Sequence, residues 1–341
     1  MIYTKEEAIK NKILLEIQHN FPLVAKPFEI IASNFETTEE NVLEILQKEK
    51  DGGIIRQTSA IFDTKKLGYK SSLVAFSLNE NKIDEAVKII NSHAGISHNY
   101  LRSHKFNIWF TLAVPPNSIL GLKKTVELIA KLTGTKEFLI LPTLKMFKIS
   151  VKLDTTKQLS NKEEVIKKVD KKLELTDEHF RVIELVQQDI KFISEPFLEA
   201  KNKLGMTYER FFEINNELKD SGVMRRFASI LNHKKAGFTS NAMVVWEIEE
   251  TKSNEIGQIA ASFSAVSHCY LRPIFENWKY NLFTMIHASS SDELQNTINS
   301  IASEIEFKSN MILHSLEEFK KVRIIYFSNE FAKWEEKYAI S

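Results

Sequence analysis

Apolar residues recur at helical spacing in three short segments at the start of each half of the chain. The segments fall near residues 5–18, 26–33 and 38–50, and again near 176–189, 194–203 and 207–220. Thr176 and Thr207 stand where N-caps are expected, and Gly53 and Gly222 stand where helices end and β-branched runs follow. Three helices followed by a short β wing predict a winged helix-turn-helix.

The pattern then changes to alternation of strands and helices. In the first half the order is a strand (SSLVAFSL), a helix (KIDEAVKIINSH), two strands (GISHNYLR and FNIWFTLAV), a helix (NSILGLKKTVELIAKL) and a strand (EFLILPTLKMFKI). This βαββαβ order is that of the ferredoxin-like split unit.

An internal repeat relates the two halves. GGIIRQTSAIFDTKKLGY, from Gly52, aligns without a gap with SGVMRRFASILNHKKAGF, from Ser221. HNYLR, from His98, recurs as HCYLR, from His268, and LPTLKMFKI recurs as LHSLEEFKK. The sequence therefore predicts an α+β protein made of two tandem copies of a winged helix-turn-helix followed by a ferredoxin-like βαββαβ domain.

Domain boundaries follow from the repeat and from a polar, lysine-rich stretch in the middle of the chain. In the first half we expect a helix-turn-helix unit at residues 1–57 and a ferredoxin-like domain at 58–154, followed by a linker at 155–174. In the second half we expect a helix-turn-helix unit at 175–226, a ferredoxin-like domain at 227–327 and a C-terminal tail at 328–341.

Composition excludes several classes of protein but does not indicate a particular reaction. The net charge of +1 does not indicate a surface that coats a polyanion, and the single cysteine, Cys269, excludes an intrachain disulfide framework. No stretch reaches the length of a membrane span, and the charged N-terminus lacks the apolar core of a signal peptide. A cytoplasmic protein with no membrane partner is expected.

Strand alternation places the repeated motif on one face of each sheet. Ile96 is expected on the same side as the set His98, Tyr100 and Arg102, and Val266 on the same side as the set His268, Tyr270 and Arg272. Because arginine is rarely buried without a partner, this face is expected to be the one that the helices leave open. If two such sheets stack, a cavity lined by aromatic and cationic side chains lies between them. Inherited packing of a duplicated domain is the alternative explanation of the motif.

Other residues are weaker candidates. Arg56, Arg225 and Arg226 lie on the predicted wings, where guanidinium groups suit an anion such as a carboxylate. His287 and His314 differ between the two copies and are secondary candidates, for which a structural role is favoured.

The helix-turn-helix plus ferredoxin-like order resembles the Lrp/AsnC transcription regulators, whose third helix enters the major groove. The third helix of the first half, TTEENVLEILQKEKD, has five acidic and two basic residues, and that of the second, TYERFFEINNELKD, has four acidic and two basic residues. Phosphate would repel helices of this charge, so DNA binding is not expected.

Longer segments resemble the siroheme decarboxylases, an offshoot of that family. NFPLVAKPFEIIA resembles the segment that joins the first two helices in this family. GISHNYLRSHKFNIWFTLAVPP and LPTLKMFKI resemble the smaller-subunit type, and VSHCYLRP, WKYNLFTMIHA and LHSLEEFKKVRIIYF resemble the partner-subunit type. The chain thus resembles a fusion of two subunits. The resemblance implies removal of two acetate carboxyl groups of siroheme as CO2, giving 12,18-didecarboxysiroheme for the synthesis of haem or d-type haem.

The resemblance also implies roles for the repeated motif. His98 and His268 are candidates for the general acid or for a ligand of the substrate iron, with the assignment left open. Substrate-binding candidates are Arg56, Tyr100, Arg102, Trp109, Arg225, Arg226, Tyr270 and Arg272. No cofactor beyond the iron of siroheme is expected. The expected ligands are siroheme, didecarboxysiroheme and haem as a product analogue, and the two halves are expected to pair, with homodimerisation left open.

Two other functions remain open on the sequence. The first is an Lrp/AsnC-type regulator that senses an amino acid or haem. The second is a tetrapyrrole-binding protein that returns its ligand unchanged.

Overall fold

The structure, a computed structural model, describes residues 5–149, 172–232 and 240–339. Most of the predicted linker at 155–174 therefore lies outside the described residues. The described chain divides into two compact units, one made of residues 5–66 and 172–232 and the other of residues 67–149 and 240–339. We call these the helical unit and the sheet unit. No helix within the described ranges is long and apolar enough to cross a membrane.

Both halves contain helices and strands in the same order as far as their last strand, which is divided in the first half and is followed by an extra helix in the second. The first half comprises α1 (Lys5–His19), α2 (Pro27–Asn34), α3 (Glu39–Asp51), β1 (Ile55–Phe62), β2 (Lys70–Ser77), α4 (Ile83–Ser92), β3 (Ile96–Arg102), β4 (Ile108–Val114), α5 (Gly121–Thr133), β5 (Glu137–Pro142) and β6 (Lys145–Ile149). The second half comprises α6 (Asp177–Val186), α7 (Leu198–Leu204), α8 (Tyr208–Asp220), β7 (Met224–Leu231), β8 (Ser240–Glu247), α9 (Ser253–Ser262), β9 (Val266–Leu271), β10 (Leu282–Ala288), α10 (Ser291–Glu304), β11 (Ser309–Lys321) and α11 (Glu330–Ala339).

The helix termini of the helical unit follow the local sequence. Thr207 caps α8 by accepting a hydrogen bond from the backbone N–H of Arg210, and Thr176 forms a capping box at α6 with His179. Gly53 and Gly222 follow α3 and α8 with φ values of 70° and 69°, where a side chain would strain the backbone. The predicted helix starts and stops at these positions are confirmed, although α6 and α7 are shorter than the apolar pattern indicated.

The wings of the two halves pair with each other. β1 and β7 form an antiparallel two-stranded sheet about the pair Ser59 and Ala228, which occupy matching positions in the repeat. Matched backbone bonds extend the pairing at both ends, from Asp63 N–H to the Val223 carbonyl and from Asn232 N–H to the Ile54 carbonyl. The predicted boundaries after residues 57 and 226 therefore fall inside strands that pack with the helices.

In the sheet unit, each half completes the sheet of the other. The strand order is β5-β2-β4-β3-β11-β8-β10-β9-β6. β11 is continuous, pairing with β8 through residues 309–314 and with β3 through residues 315–321. The last strand predicted for the first half is divided into β5 and β6, which pair with β2 and β9 at opposite ends of the order. Only residues 143 and 144 separate β5 from β6, so the chain links the two ends of the strand order directly.

Apolar side chains fill the space between the inner faces of this sheet. The sequence led us to expect a cavity there, but side chains of both halves form a single packed group, which we call the inter-sheet cluster. Its buried members are Ala75, Phe106, Trp109, Leu139, Leu141, Met243, Val245, Trp278, Phe283 and Leu313. Separate apolar clusters lie on the outer faces, under α4 and α5 in the first half and under α9 and α10 in the second.

Two buried arginines hold the points at which strands of one half meet strands of the other. Arg102 of β3 donates through Nη1 to the Leu313 carbonyl at 2.8 Å and to Ser315 Oγ at 3.1 Å. Arg272, the residue after β9, donates through Nη1 to the Leu141 carbonyl. Leu141 and Leu313 occupy matching positions, so each arginine ties its own strand to the crossing strand of the other half.

The predicted C-terminal tail contains a helix that packs on the first half. Trp334 of α11 is buried in the apolar cluster beneath α4, with its ring 4.5 Å from that of His93. Glu335 accepts hydrogen bonds from Ser118 Oγ and from the backbone N–H of Leu120, at the start of α5. A carboxylate at a helix N-terminus is favourably placed for the helix dipole, so α11 belongs to the folded unit.

Burial of His93 makes the stability of the sheet unit depend on pH. The side chain is 1% exposed, and burial followed by the charge of Lys320 lowers its pKa to about 3. An imidazole that is neutral when folded and protonated when unfolded stabilises the fold above pH 6.5, and this contribution is lost as the pH falls. We expect the free energy of unfolding to fall by about 2 kcal/mol more between pH 7 and pH 5 in the natural protein than in His93→Asn.

The measurement for this prediction is urea unfolding of both proteins at several pH values. In the natural protein, His93 Nδ1 accepts a hydrogen bond from the backbone N–H of Gly95 at 2.9 Å. The side-chain oxygen of asparagine retains an acceptor for this N–H group. Equal pH dependence in the two proteins would show that His93 does not control the effect.

Replacement of a buried arginine tests the strand crossing. Arg102→Met removes two hydrogen bonds from a charged donor, one of them to the Leu313 carbonyl. We therefore expect the free energy of unfolding, measured in urea, to fall by about 2–3 kcal/mol. Lys105→Met is the matched control, because Lys105 forms an exposed ion pair with Glu137 at 2.6 Å and should change stability by less than about 0.5 kcal/mol. Equal effects of the two substitutions would contradict a clamp at Arg102.

Candidate functional site

The repeated motif forms two similar rows of side chains in the sheet unit. On β3 the rings of His98 and Tyr100 are 6.3 Å apart and nearly parallel, and the Arg102 guanidinium lies 5.2 Å from the centre of the Tyr100 ring. We call His98, Tyr100 and Arg102 the first ladder. The second ladder is His268 and Tyr270 on β9 with Arg272, which directly follows that strand, and the corresponding distances are 6.0 and 4.9 Å.

Both ladders face away from the helices, as the sequence predicted. The intervening residues of β3 point to the other face: Asn99 donates to Asn91 Oδ1 of α4 at 3.0 Å, and Leu101 packs against the apolar cluster beneath the helices. The tyrosines remain partly exposed. Trp109 of the inter-sheet cluster lies opposite Tyr100, so the ladders share the inner face of the sheet with that cluster. A ligand can meet this face where the ladders remain partly exposed.

The aliphatic residue predicted to share this face does not lie on it. The pairing of β3 with β4 shifts register between Ile96 and His98, and the pairing of β9 with β10 shifts between Val266 and His268. An extra residue in one strand reverses the alternation on one side of the bulge. Ile96 and Val266 accordingly lie in the helix-side clusters. The prediction that they share the ladder face was wrong, because strict alternation assumes an uninterrupted ladder.

A serine before each histidine fixes the environment of Nδ1. Ser267 Oγ lies 2.9 Å from His268 Nδ1 and 3.2 Å from the Met285 carbonyl oxygen. When the hydroxyl donates to that carbonyl, its lone pair accepts Nδ1–H of His268. In the neutral ring this leaves the lone pair on Nε2, the form that binds a metal or accepts a proton.

Ser97 makes the same 2.9 Å contact with His98 Nδ1 but also lies 2.7 Å from Thr111 Oγ1, so either hydroxyl of that pair can donate. Both tautomers of His98 are therefore compatible with the hydrogen-bond network. Sequence reasoning missed these serines, although both precede the histidine in the matched motif.

The ladders end in positive charges that lack a carboxylate partner within the described residues. Arg102 and Arg272 are 5% and 7% exposed, and burial lowers the pKa of each to about 10, so both are charged at neutral pH. In the part of the chain that the structure describes, neither Nε–H has a hydrogen-bond partner, and the Nη1 contacts are to uncharged oxygens. Buried charges of this kind favour an anion nearby.

The wing arginines lie in the helical unit. Arg225 forms an ion pair with Asp63 at 2.7 Å, so the protein supplies a carboxylate at this predicted anion site. Burial, followed by the charge of Arg225, lowers the pKa of Arg226. Arg56 is half-buried, and the residue matching Asp63 in the other copy is the uncharged Asn232. One end of the two-stranded wing sheet therefore carries a carboxylate, and the matching position at the other end carries an uncharged amide.

Three further candidates lie in different environments. Trp109 is 1% exposed in the inter-sheet cluster, and its indole N–H donates to the Phe106 carbonyl at 2.6 Å, so it supports the first ladder from within the core. Burial lowers the pKa of His287 to about 4, which makes it neutral near pH 7. His314 is exposed on β11.

Family models match three segments of the chain. An AsnC-like ligand binding domain matches residues 66–148 and again 235–320, and a siroheme decarboxylase NirDL-like HTH domain matches residues 10–56. The protein is thus a mixed α+β protein with an N-terminal helix-turn-helix domain and a repeated AsnC-like ligand-binding domain.

Some relatives match nearly the whole chain and others match one half of it. A siroheme decarboxylase of Hydrogenobacter thermophilus is 40% identical over 324 residues, covering 95% of this chain and 96% of the relative. A siroheme decarboxylase beta subunit of Desulfovibrio desulfuricans is 33% identical over 46% of this chain and 98% of the subunit, which agrees with a fusion of separate subunits.

A solved structure also matches over nearly the whole length. The siroheme decarboxylase NirDL, crystallised in co-complex with an iron-uroporphyrin III analogue, is 35% identical with a TM-score of 0.75, over 97% of this chain and 99% of that one. The chain belongs to the siroheme decarboxylase family.

Proposed function

We propose that the protein removes two acetate carboxyl groups of siroheme as CO2 and so makes 12,18-didecarboxysiroheme. The observation that carries this proposal is the pair of ladders, each of which presents an imidazole and a phenol above a buried guanidinium on a face without helices. The 40% identity to a siroheme decarboxylase over nearly the whole chain supports the substrate.

The charges of the site suit the substrate. Siroheme carries eight carboxylates on a broad, flat ring, and the buried charges of Arg102 and Arg272 favour anions at the ladder faces. Arg56 and Arg226 on the wings are proposed to hold carboxylates as well, with a smaller part for Arg225 because Asp63 already pairs with it. Tyr100 and Tyr270 are proposed to contact the ring or to donate hydrogen bonds to it.

The chemistry requires a proton and a place for an electron pair. The bond between the acetate methylene carbon and the carboxylate breaks, CO2 leaves, and the electron pair is delocalised into the macrocycle. A proton then adds to the methylene carbon and gives a methyl group. A histidine with an ordinary pKa near 6.5 is a suitable acid at neutral pH, and solvent restores its proton. No cofactor beyond the iron of the substrate enters this scheme.

The reacting acetate should not be tightly paired with arginine. A strong ion pair stabilises the carboxylate before the reaction, whereas an apolar environment disfavours its charge. We therefore assign the arginines to the carboxylates that do not react. His98 and His268 supply the acid or an axial ligand of the substrate iron, and the serine contact at Nδ1 of His268 directs Nε2 to that task.

The finer architecture and the partners belong to the same proposal. We infer that each half descends from one winged helix-turn-helix and one ferredoxin-like βαββαβ domain, since the strand orders β5-β2-β4-β3 and β11-β8-β10-β9 match. The two halves serve as the paired subunits of one enzyme, with haem as a product analogue, homodimerisation left open and a cytoplasmic location.

Two rival functions are less well supported. A transcription regulator needs its third helices at DNA phosphates, yet one face of α8 lines an open hollow of about 580 Å³ that includes Glu209, Glu213, Glu217 and Asp220. A tetrapyrrole carrier needs the same binding surface as an enzyme, so only turnover distinguishes the two.

Turnover is tested by anaerobic incubation of the purified protein with siroheme, followed by mass spectrometry of the tetrapyrrole. We expect loss of two CO2 units per siroheme. Siroheme that is bound and recovered unchanged would identify a carrier.

The histidine acid is tested by alanine substitution. Replacement of the reacting histidine, His98 or His268, should lower turnover by about 100-fold or more, because general acid catalysis contributes on that order. Both histidines are only partly buried, so thermal unfolding should change little and serves as the control. Rates equal to the natural protein in both variants would remove histidine as the acid.

DNA binding is tested directly. A fluorescently labelled DNA duplex of mixed sequence should show no saturable binding at low salt, because the third helices carry a net negative charge. Binding that weakens steeply as salt increases would support the regulator instead.

A further inference from the structure

The last helix of the chain, α11, packs against the turn that joins α4 to β3. Trp334 Nε1 donates to Ser92 Oγ at 3.0 Å, and the rings of Phe331 and Trp334 lie 5.9 and 4.5 Å from that of His93. Ser92 is the last residue of α4, and β3 begins at Ile96. The turn of the first half is thus enclosed by side chains of the second half.

Hydrogen bonds within this turn connect His93 to the start of β3. The backbone N–H groups of Gly95 and Ile96 donate to the Nδ1 atom and the carbonyl oxygen of His93, at 2.9 and 3.1 Å. The register shift between β3 and β4 follows directly, between Ile96 and His98. This bulge directs His98 away from the helix side on which Ile96 lies, so the direction of the imidazole depends on the turn before it.

Gly95 leaves the turn of the first half little room to adjust. Its carbonyl oxygen accepts the backbone N–H of Ala113 at 3.0 Å, and a Cβ atom at Gly95 would overlap the Ala113 carbonyl oxygen. The matching residue of the second half is Ala265, whose carbonyl oxygen accepts the N–H of His287 at the same distance. One turn therefore accommodates a methyl group that the other excludes, so the two turns differ in geometry.

The matching turn of the second half has a different support. Phe263 stands at the position of His93 and lies in the apolar cluster beneath α9 and α10. Lys148 of β6 donates to the Phe263 carbonyl at 2.8 Å. Trp334 of α11 belongs instead to the cluster of the first half. Of the two turns, the structure thus places α11 on the one that precedes His98.

A second connection from α11 to the same strand runs through the end of β11. Val322 N–H donates to the Ser97 carbonyl at 2.8 Å, and Ser97 Oγ contacts His98 Nδ1. Between Val322 and α11, Phe327 has a φ of 62°, which a bulky residue rarely adopts, and its N–H donates to Tyr69 Oη at 2.6 Å. The contacts of the docked helix therefore hold this segment in one conformation and keep Val322 on Ser97.

We propose that Trp334 and Phe331 of α11 are positioning residues for His98. By packing on His93 they hold the turn, and the turn sets the bulge that directs the imidazole. A reacting group that is displaced by even a fraction of an ångström loses much of its effect, so the contact on the outer side of the sheet influences chemistry on the inner side. The consequence for turnover rests on the proposed function, whereas the effect on the imidazole does not.

The experiment compares the two matching histidines within one protein. The full chain is prepared with isotope-labelled histidine, and the ring signals of His98 and His268 are assigned by NMR from their alanine variants. Trp334→Ala removes the ring that packs on His93. Trp334→Phe keeps an aromatic ring and removes only the hydrogen bond to Ser92.

Two control variants separate positioning from loss of stability. Ile129→Ala opens a cavity in the same apolar cluster, but from α5 rather than from α11. Lys333→Ala changes the exposed face of α11, where Lys333 forms an ion pair with Glu330 at 2.7 Å. Thermal unfolding of every variant is measured beside the NMR spectra.

The expected result is a change at His98 alone. Trp334→Ala should move the ring signals of His98 and leave those of His268 in place, and Trp334→Phe should move them less in the same direction. Ile129→Ala should lower the unfolding temperature without moving the His98 signals, and Lys333→Ala should change neither. Turnover of siroheme should fall by about 10-fold in Trp334→Ala, with KM within about 2-fold of the natural value. Trp334→Ala should cause no further loss in a His98→Ala background, because the two residues act through one group.

The positioning role is overturned if the His98 signals stay in place in Trp334→Ala, or if they move equally in Ile129→Ala or together with those of His268. Should Trp334→Ala fail to fold, Trp334→Phe decides by the same comparison. Moved signals with natural turnover would overturn the consequence for the reaction. If the natural protein releases no CO2 from siroheme, the proposed function fails, and the NMR comparison still decides whether α11 positions His98.

Discussion

The sheet unit depends on the exchange of strands between the two halves. β11 leaves the sheet of its own half to pair with β3, and the chain passes from β5 to β6 to pair with β9. At each crossing a buried arginine donates to a carbonyl of the other half. A buried guanidinium is costly unless its donors are used, so these bonds favour one register of the crossing strands over its alternatives.

The exchange also decides what surrounds the ladders. Each ladder lies on a strand whose outer neighbour comes from the other half, so the chemistry beside one copy of the motif is set by residues of the other copy. The inner neighbours contribute the inter-sheet cluster, which supports Tyr100 through Trp109 and Tyr270 through Phe283. A separate half would have neither border, which gives a physical reason for the two halves to act together.

Much of this arrangement was readable from the sequence because it depends on local rules. Apolar periodicity and N-caps such as Thr207 located the helices, and the repeat showed that both halves share one plan. Alternation placed histidine, tyrosine and arginine on one face. It failed at Ile96 and Val266, because a bulge needs an extra residue whose position depends on the partner strand. Burial of Trp109 and the ion pair of Arg225 with Asp63 were likewise invisible without tertiary contacts.

The sequence by itself determined the duplicated α+β plan, the two ladders and the acidic third helices, since each follows from residues close together along the chain. Only the tertiary structure decided which strands meet. Glu318 and Tyr100 are 218 positions apart, and nothing local to either residue specifies that they pair. The sequence shows that Glu318 and Met146, which occupy matching positions of the repeat, differ in charge. Only the tertiary structure shows that strand exchange places each residue beside the ladder of the other half, because hydrogen-bonded pairing between distant segments is a property of the whole fold.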